Sequence, residues 1–454
     1  MEEITVQSYA DAEAFLSEVP KFTKKNPLEE TRGFYAYIQG CEDGKYAEEK
    51  LGKLIHIAGT NGKGSVCAFL QGICRESGYR TGMFISPHLV TTRERFWVDG
   101  SIISEEAFVC AFNWLAGMVE AYRRIKPDYC PTYFERLFFM GVYVFARAGV
   151  DITILETGLG GRLDTTNVIS NPILTVITEI GFDHMEYLGG TIEQIASEKA
   201  GIIKHGVPVV FVDRKKQVSR IIGEKAAAYG CKCCLVSKND YKINEIQKKF
   251  IDFSVSSLYY DYGRIMVRTT AVYQVENAAV AIRACEVLKR ECGFEKITVK
   301  SIQAGISGMF WAGRMEEIVS RVCIDGAHNE DGIAAFVQSL KEAPDLTEVS
   351  GSDRNVLIFS VVKDKQYDKM IEMLCGLQMI TDFVVTHIPG ERGADLKELE
   401  RIFGRYADKS VQDIHVCENI EDAVKYSMSV RGKTGMVYIV GSLYLAGFVR
   451  KFLG

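Results

Sequence analysis

The chain has 454 residues, 47% hydrophobic and 25% charged, with a formal net charge of -5. At roughly 100–200 residues per domain, this implies two or three domains with enough apolar material for a sizeable core. The mild acidity gives no basic footprint, so no nucleic-acid partner is expected.

The first segment, MEEITVQSYADAEAFL, is acidic and amphipathic. It has none of the basic start, apolar centre and small-residue cleavage site of a signal peptide. No run in the chain approaches the ~18–20 apolar residues of a membrane span. A cytoplasmic protein with no membrane partner is therefore expected. The segment KLIHIAGTNGKGSVCAFLQGICRESG reads as a short apolar strand, a glycine-rich turn and an amphipathic helix. In the turn, the backbone N–H groups of Gly59, Thr60, Asn61, Gly62, Lys63, Gly64 and Ser65 can wrap phosphate oxygens at a helix N-terminus. Lys63 would reach the β- and γ-phosphates. The spacing departs from the usual P-loop, because a glycine separates Lys63 from Ser65 and the first glycine lies closer to the lysine. A turn without any ligand is the alternative, and the order strand, loop, helix favours the nucleotide.

Further along, LFFMGVYVFA is too short to cross a membrane and reads as a buried helix. In DITILETGLGGRLDTTNV, Glu156 ends an apolar strand just before glycines. Ligands of open α/β sheets bind beyond the carboxyl ends of strands, and a carboxylate there suits a hard cation such as Mg²⁺. Capping a turn is the plainer role for such a residue. PILTVITEIGFDHMEYLG repeats the arrangement, with Asp183-His184 just past a strand. From the residues alone, His184 is equally a structural histidine or a metal ligand. Lys199 falls on the helix TIEQIASEKAGII, where by itself it reads as a solvated or salt-bridged lysine.

VPVVFV, NVLIFSVV, DFVVTH and MVYIVG are further buried strands, and NAAVAIRACEVLKRECG is a helix between them. Alternating strands and helices predict an α/β fold with parallel sheets. Three glycines in QAGISGMFWAGR suggest a boundary near 300–315, dividing the chain into residues 1–312 and 313–454. A small β-rich insertion is expected around 210–270. The 13 cysteines are scattered, and the cluster Cys231, Cys233, Cys234 has no second Cys/His pair at zinc spacing, so free thiols are expected.

Ten ordered blocks carry a resemblance from about residue 50 to the C-terminus: HIAGTNGKGS, SPHL, TYFE, ETGLGGRLDTTNV, GFDHMEYLG, SEKAGIIK, the Gln274–Asn277 segment, WAGRMEEI, DGAHN and GSLYLAG. Together they resemble the Mur ligase superfamily, and within it the folylpolyglutamate synthase/dihydrofolate synthase family. The resemblance implies an N-terminal P-loop-type ATPase domain with a parallel sheet, a smaller C-terminal Rossmann-like α/β domain, and an active site in the cleft between them. It implies that Gly59–Ser65 is the ATP phosphate loop and that Ser86, Glu156 and His184 are metal ligands, with two Mg²⁺ sites. It further assigns Asn277, Arg314 and Asp325 to ATP. Thr132, Tyr133, Phe134, Glu135, Leu163, Asp164 and Thr165 fall to the pterin-bearing substrate, and His328 and Ser442 to the incoming glutamate. Lys199 matches a lysine carbamylated in relatives, so Lys63, Lys199 and His328 are the expected catalytic residues. The expected activity is ATP-dependent addition of L-glutamate to dihydropteroate, to folates or to both, through an acyl phosphate, by a monomer whose partners are small molecules.

Three departures bear on substrate preference. YIQGCEDGKYAEEKLGK lacks the family's Leu-Gly-Asn-Pro-like run, Glu179 stands where an Asn is common, and Asp364-Lys365-Gln366 only partly matches Asp-Lys-Asp. A folate-extending synthase alone, or another Mur-type amino-acid ligase, are the alternatives within the superfamily. A nucleotide switch or simple kinase would leave DGAHN and GSLYLAG idle.

Overall fold

The computed structural model describes residues 5–20, 26–343, 353–390 and 392–454. The first four residues of the acidic N-terminal segment thus lie outside the described residues. Among the described residues no helix is long and apolar enough to cross a membrane.

The large N-terminal sheet contains β1 (Lys53–Ala58), β2 (Thr81–Phe84), β3 (Phe96–Val98), β4 (Ser101–Ile102), β5 (Ile152–Glu156), β6 (Pro172–Ile177), β7 (Val209–Val212) and β8 (Cys233–Val236). Their order is β4-β3-β2-β5-β1-β6-β7-β8. From β2 to β8 every pairing is parallel, while β3 and β4 add an antiparallel edge. Helices cover both faces, so β5 and β7 are buried at every position, as parallel strands with near-continuous apolar runs must be. The buried helix expected at LFFMGVYVFA runs over Tyr133–Ala148 and opens on a Thr132/Glu135 capping box.

A second, antiparallel sheet comprises β9 (Tyr241–Ile246), β10 (Ile251–Val255) and β11 (Ile265–Val267). The β-rich insertion is therefore narrower than the expected span of 210–270. Val209–Val236 continues the main sheet as strand, helix and strand, because VPVVFV is apolar enough to be buried in it. The third sheet holds β12 (Glu316–Val319), β13 (Val322–Ile324), β14 (Val356–Phe359), β15 (Asp382–Thr386), β16 (Asp413–Cys417) and β17 (Val437–Val440), in the order β12-β13-β17-β14-β15-β16. All but β12 run parallel. The expected division at 312/313 falls in the link between the helix Val299–Gly308 and β12.

The glycine-rich stretch before that link is only partly a loop. Gly305 lies inside the helix Val299–Gly308, which crosses the helix Lys63–Glu76 closely. A Cβ at Gly305 would lie 2.5 Å from the Ile73 backbone, and one at Gly72 would lie 2.8 Å from the Gly305 carbonyl oxygen. These glycines let two backbones approach directly behind the phosphate loop. Gly305→Ala should destabilise the N-terminal domain by about 1–3 kcal/mol through overpacking. Urea unfolding followed by circular dichroism measures this, and an unchanged midpoint would contradict the helix crossing.

Candidate active site

β1 ends at Ala58, between β5 and β6 in the sheet, where the strand order reverses and an open α/β sheet forms its crevice. The turn Gly59–Gly62 leaves it and the helix Lys63–Glu76 follows, with its first N–H groups lacking intrahelical partners. Gly59 and Gly62 hold positive φ values of 154° and 86°. A Cβ at Gly62 would meet the Asn277 side chain at 2.3 Å, and one at Gly59 would meet Thr178 at 1.8 Å. The glycines are thus required by both conformation and close packing. The loop is fastened from beneath, since Thr60 N donates to the Glu179 carbonyl at 2.8 Å and Thr178 Oγ1 donates to the Asn61 carbonyl at 2.7 Å. Ser65 Oγ is buried without a hydrogen-bond partner.

Glu156, at the end of β5, is 3% exposed. One oxygen accepts from Ser86 N at 3.0 Å and the other lies 3.9 Å from Lys63 Nζ. Burial raises its pKa, against the opposing effects of Lys63, the Ser86 N–H, Arg314 and Arg95. Ser86, Glu156 and Lys63 therefore stand together at this strand end, and the orphaned Ser65 hydroxyl belongs to a residue lining the same cavity.

Past β6, Asp183 gathers four side chains. Its carboxylate pairs with Lys365, accepts from Asn329 Nδ2 at 3.2 Å, and lies 3.6 Å from His328 Nε2 and 3.9 Å from His184 Nε2. Burial opposes its ionisation, but His328, His184 and Lys365 outweigh that and hold the carboxyl well below its usual range. His184 itself adopts positive φ, 51°. Burial, only partly offset by Asp183, lowers its imidazole to about 4, with Lys365, His328 and Lys63 adding to the drop. A neutral imidazole keeps a lone pair for a metal. Lys199, 5% exposed, donates to the Gly59 carbonyl at 2.6 Å. Burial, with Lys63 adding, lowers its amine to about 7.

Asn277, Arg314 and Asp325 also face the cleft. Asn277 donates to Gln274 at 2.8 Å, and Asp325 accepts from Tyr273 OH at 2.5 Å and from the N–H groups of Met315 and Ala327. Arg314 and Gln274 also line a second cavity of about 260 Å³ beside Trp311.

The main cavity measures about 810 Å³ and runs between the carboxyl edges of the two large sheets. The structure brings to it Gly59–Ser65, Ser86, Thr132, Tyr133, Phe134, Glu156, Asp164, Thr165, His184, Lys199, His328 and Ser442. Two expected residues do not line it. Glu135 is turned into the capping network, accepting from Asn26, Thr31 and Thr132 N, and Leu163 lies outside at 49% exposure. Asp164 does line it but chiefly braces its own loop, accepting from Leu159 N, Thr166 N and Thr166 Oγ1. His56 Nε2 lies 2.8 Å from the same Thr166 hydroxyl, tying that loop to β1.

Sequence reasoning marks Asp183 only as the neighbour of His184, and Lys365 only as part of a partly matched triplet. Arg95, Arg214 and Arg392 also line the cleft and carried no signal, because each comes from a turn or loop without a distinctive pattern. The cysteine cluster holds no metal-like group, and Cys231 donates instead to the Lys204 carbonyl at 3.0 Å. Among the described residues the one group of that kind is Asp382, Asp413 and His415, far along the C-terminal sheet from the cleft and bridged by Arg354.

Residues 124–285 match the model of the Mur ligase middle domain, and residues 313–443 that of the Mur ligase glutamate ligase domain. The chain is 33% identical over 456 aligned residues to the dihydrofolate synthase/folylpolyglutamate synthase of Bacillus subtilis, covering 98% of this chain and 99% of that protein. It is 31% identical to the enzyme of the same name from Mycobacterium tuberculosis, over 88% of this chain and 86% of that one. Among solved structures, E. coli FolC in complex with DHPP and ADP superposes with a TM-score of 0.79 at 26% identity, over 98% of this chain and 97% of that chain. The M. tuberculosis folylpolyglutamate synthase complexed with ADP gives 0.81 at 27% identity, over 98% of each chain. With the glycine-rich turn and the two-sheet cleft in place, these likenesses show that the chain belongs to the folylpolyglutamate synthase/dihydrofolate synthase family of the Mur ligases and is an ATP-dependent ligase.

Proposed function

We propose that the protein joins L-glutamate to the carboxylate of dihydropteroate, of a (tetrahydro)folate, or of both, with cleavage of ATP to ADP and phosphate. The observation that carries this reading is the convergence in one cleft of the phosphate loop, the Ser86–Glu156 pair and, from the opposite sheet, His328 and Ser442. A kinase or nucleotide switch has no use for that opposite wall. The relatives named above supply the substrate class. A cytoplasmic monomer is part of the reading.

A carboxylate is a poor acyl donor until one of its oxygens has attacked the γ-phosphorus of ATP, releasing ADP and leaving an acyl phosphate. Lys63 and the N–H groups of Gly62–Ser65 are positioned to take the β- and γ-phosphate charge. The second cavity, sharing Arg314 with the first, offers the base a place beyond Asn277. The amine of glutamate then attacks the acyl carbon, phosphate leaves with the C–O electron pair, and the amine gives up a proton. His328 Nδ1 faces the Gly326 carbonyl at 2.7 Å and its Nε2 lies 3.6 Å from Asp183, which fixes the ring on the C-terminal wall of the cleft, where the incoming amino acid would lie.

The donors also fit Mg²⁺. Ser86 and Glu156 are hard oxygen groups beside the phosphate loop, Ser65 Oγ is an orphaned buried hydroxyl, and His184 is neutral. Ser86 and Glu156 would hold one ion and His184 a second, and bound Mg²⁺ supplies charge neutralisation on the transferring phosphoryl group. Lys199 has the properties of a carbamylated lysine, being buried with an amine lowered to about 7. The neutral amine adds CO₂ and loses a proton, and the N–H of the carbamate keeps Gly59 O as its acceptor. The new anionic oxygens would join His184 at the second ion.

Purified protein given ATP, glutamate, and dihydropteroate or tetrahydrofolate in turn should release phosphate only with glutamate present, with products gaining one glutamyl mass. Activity with tetrahydrofolate but not dihydropteroate assigns folate extension alone, and phosphate release indifferent to amino acids overturns the ligase reading. Glu156→Gln should lower kcat by about 10²–10³-fold, as loss of one charge-stabilising group at a reacting centre does, and raise the Mg²⁺ concentration for half-maximal activity. Lys199→Ala should be inactive and partly rescued by short carboxylic acids. In the unchanged protein, the CO₂ concentration that gives half-maximal activity should fall as pH rises through about 7, where the amine becomes neutral. Full activity of Lys199→Ala without any acid would overturn the carbamate.

A further inference from the structure

Successive residues of β1 point to opposite faces of the sheet, so Leu54, His56 and Ala58 share one face. Leu54 and Ala58 are apolar and buried, and His56 between them is 0% exposed. Burial, with the charge of Lys204 adding, lowers its imidazole to about 3, so the ring is neutral at physiological pH and carries one N–H. Its Nδ1 is buried without a hydrogen-bond partner among the described residues. An unpaired polar atom there costs free energy that a leucine side chain would not. Among the described residues the one hydrogen bond of the ring joins Nε2 to Thr166 Oγ1, at 2.8 Å.

The direction of that bond follows from Asp164. Its Oδ2 accepts from Leu159 N at 2.8 Å, and its Oδ1 accepts from Thr166 N at 3.0 Å and from Thr166 Oγ1 at 2.6 Å. A hydroxyl has a single proton, and Thr166 gives it to Asp164, so His56 Nε2 is the donor to Thr166. Thr166 and Asp164 are as deeply buried as His56, at 0% and 1% exposure. The three side chains thus form one directed chain, in which each bond polarises the next. A threonine hydroxyl can rotate, but a donor seated on its oxygen keeps the proton aimed at Asp164. A carboxylate offers about four acceptor sites. Backbone and Thr166 bonds fill three of them, and Asp164 lines the cleft, where the remainder can meet a ligand. His56 also lies on the strand that leads into Gly59, so the chain ties the loop of Asp164 to the strand carrying the phosphate loop.

We propose that His56 is a positioning residue, which holds the Thr166 hydroxyl on Asp164 and so presents that carboxylate to the N–H groups of the pterin-bearing acid. The inference rests on the ligase reading above and deepens it. His56→Leu, His56→Gln and Thr166→Val are compared with the unchanged protein, using ATP, glutamate and whichever acid, dihydropteroate or tetrahydrofolate, the unchanged protein extends. In His56→Leu the KM for the acid should rise about 2- to 10-fold, the contribution of one neutral hydrogen bond. It should rise at least as far in Thr166→Val, and the KM values for ATP and glutamate should be unchanged in both. The amide of His56→Gln can place an N–H where Nε2 lay, so its KM for the acid should return toward that of the unchanged protein. The double variant His56→Leu/Thr166→Val should be no worse than Thr166→Val alone, since both act through one chain. His56→Asn, whose amide is too short to reach Thr166, carries the comparison if His56→Leu does not fold. An unchanged KM for the acid in the folded variants, a rise shared equally by ATP and glutamate, or a loss in His56→Gln equal to that in His56→Leu overturns the assignment. Failure of the ligase reading shows separately, as an unchanged protein whose ATP cleavage needs no amino acid.

Discussion

The two halves of the molecule are held in register by a buried carboxylate that neither half could satisfy alone. Asp183 belongs to the large N-terminal sheet, while Lys365, His328 and Asn329 come from the smaller one. An anion 8% exposed is tolerated only when cations and donors surround it, and here they arrive across the cleft. The contact fixes the facing of the two strand edges, and with it the separation of Lys63 from Ser442. Lys215 pairing with Asp331 at 3.1 Å and Asn61 bonding Asn329 at 3.0 Å follow the same seam.

Around that seam the site is made of backbone brought unusually close. Gly62 admits Asn277 from a helix that lies more than two hundred residues further on, and a Cβ at Gly64 would lie 3.2 Å from the Trp311 ring. Gly72 and Gly305 perform the same service behind the loop. The phosphate loop therefore sits in a cage of later elements. Its dependence on glycine has two causes that coincide at Gly59 and Gly62, a positive φ and the absence of room for a side chain.

The sequence carried much of this. Continuous apolar runs in DITILE, VPVVFV and NVLIFSVV marked strands buried on both faces, and the structure places each in a parallel sheet. The strand-end positions of Glu156 and His184 were readable because parallel sheets expose ligands at their carboxyl edges. The same reading overextended the β-rich insertion, since a run such as VPVVFV is apolar in either kind of sheet. It also counted Gly305 among the glycines of a domain boundary, whereas the structure uses it for a helix crossing, because the two kinds of glycine look alike in one dimension.

Local pattern determined the elements, the glycine-rich turn after β1 and the family, for these depend on residue spacing along a single strand, turn or helix. Tertiary structure alone decided which groups share the cleft. Glu135 turned away into a helix cap, while Asp183, Arg95, Arg214, Lys365 and Arg392 turned in. It also decided their charge states, since an amine such as Lys199 titrates near 7 only once burial has stripped its water. Periodicity is a property of neighbours in sequence, whereas desolvation and pairing belong to neighbours in space.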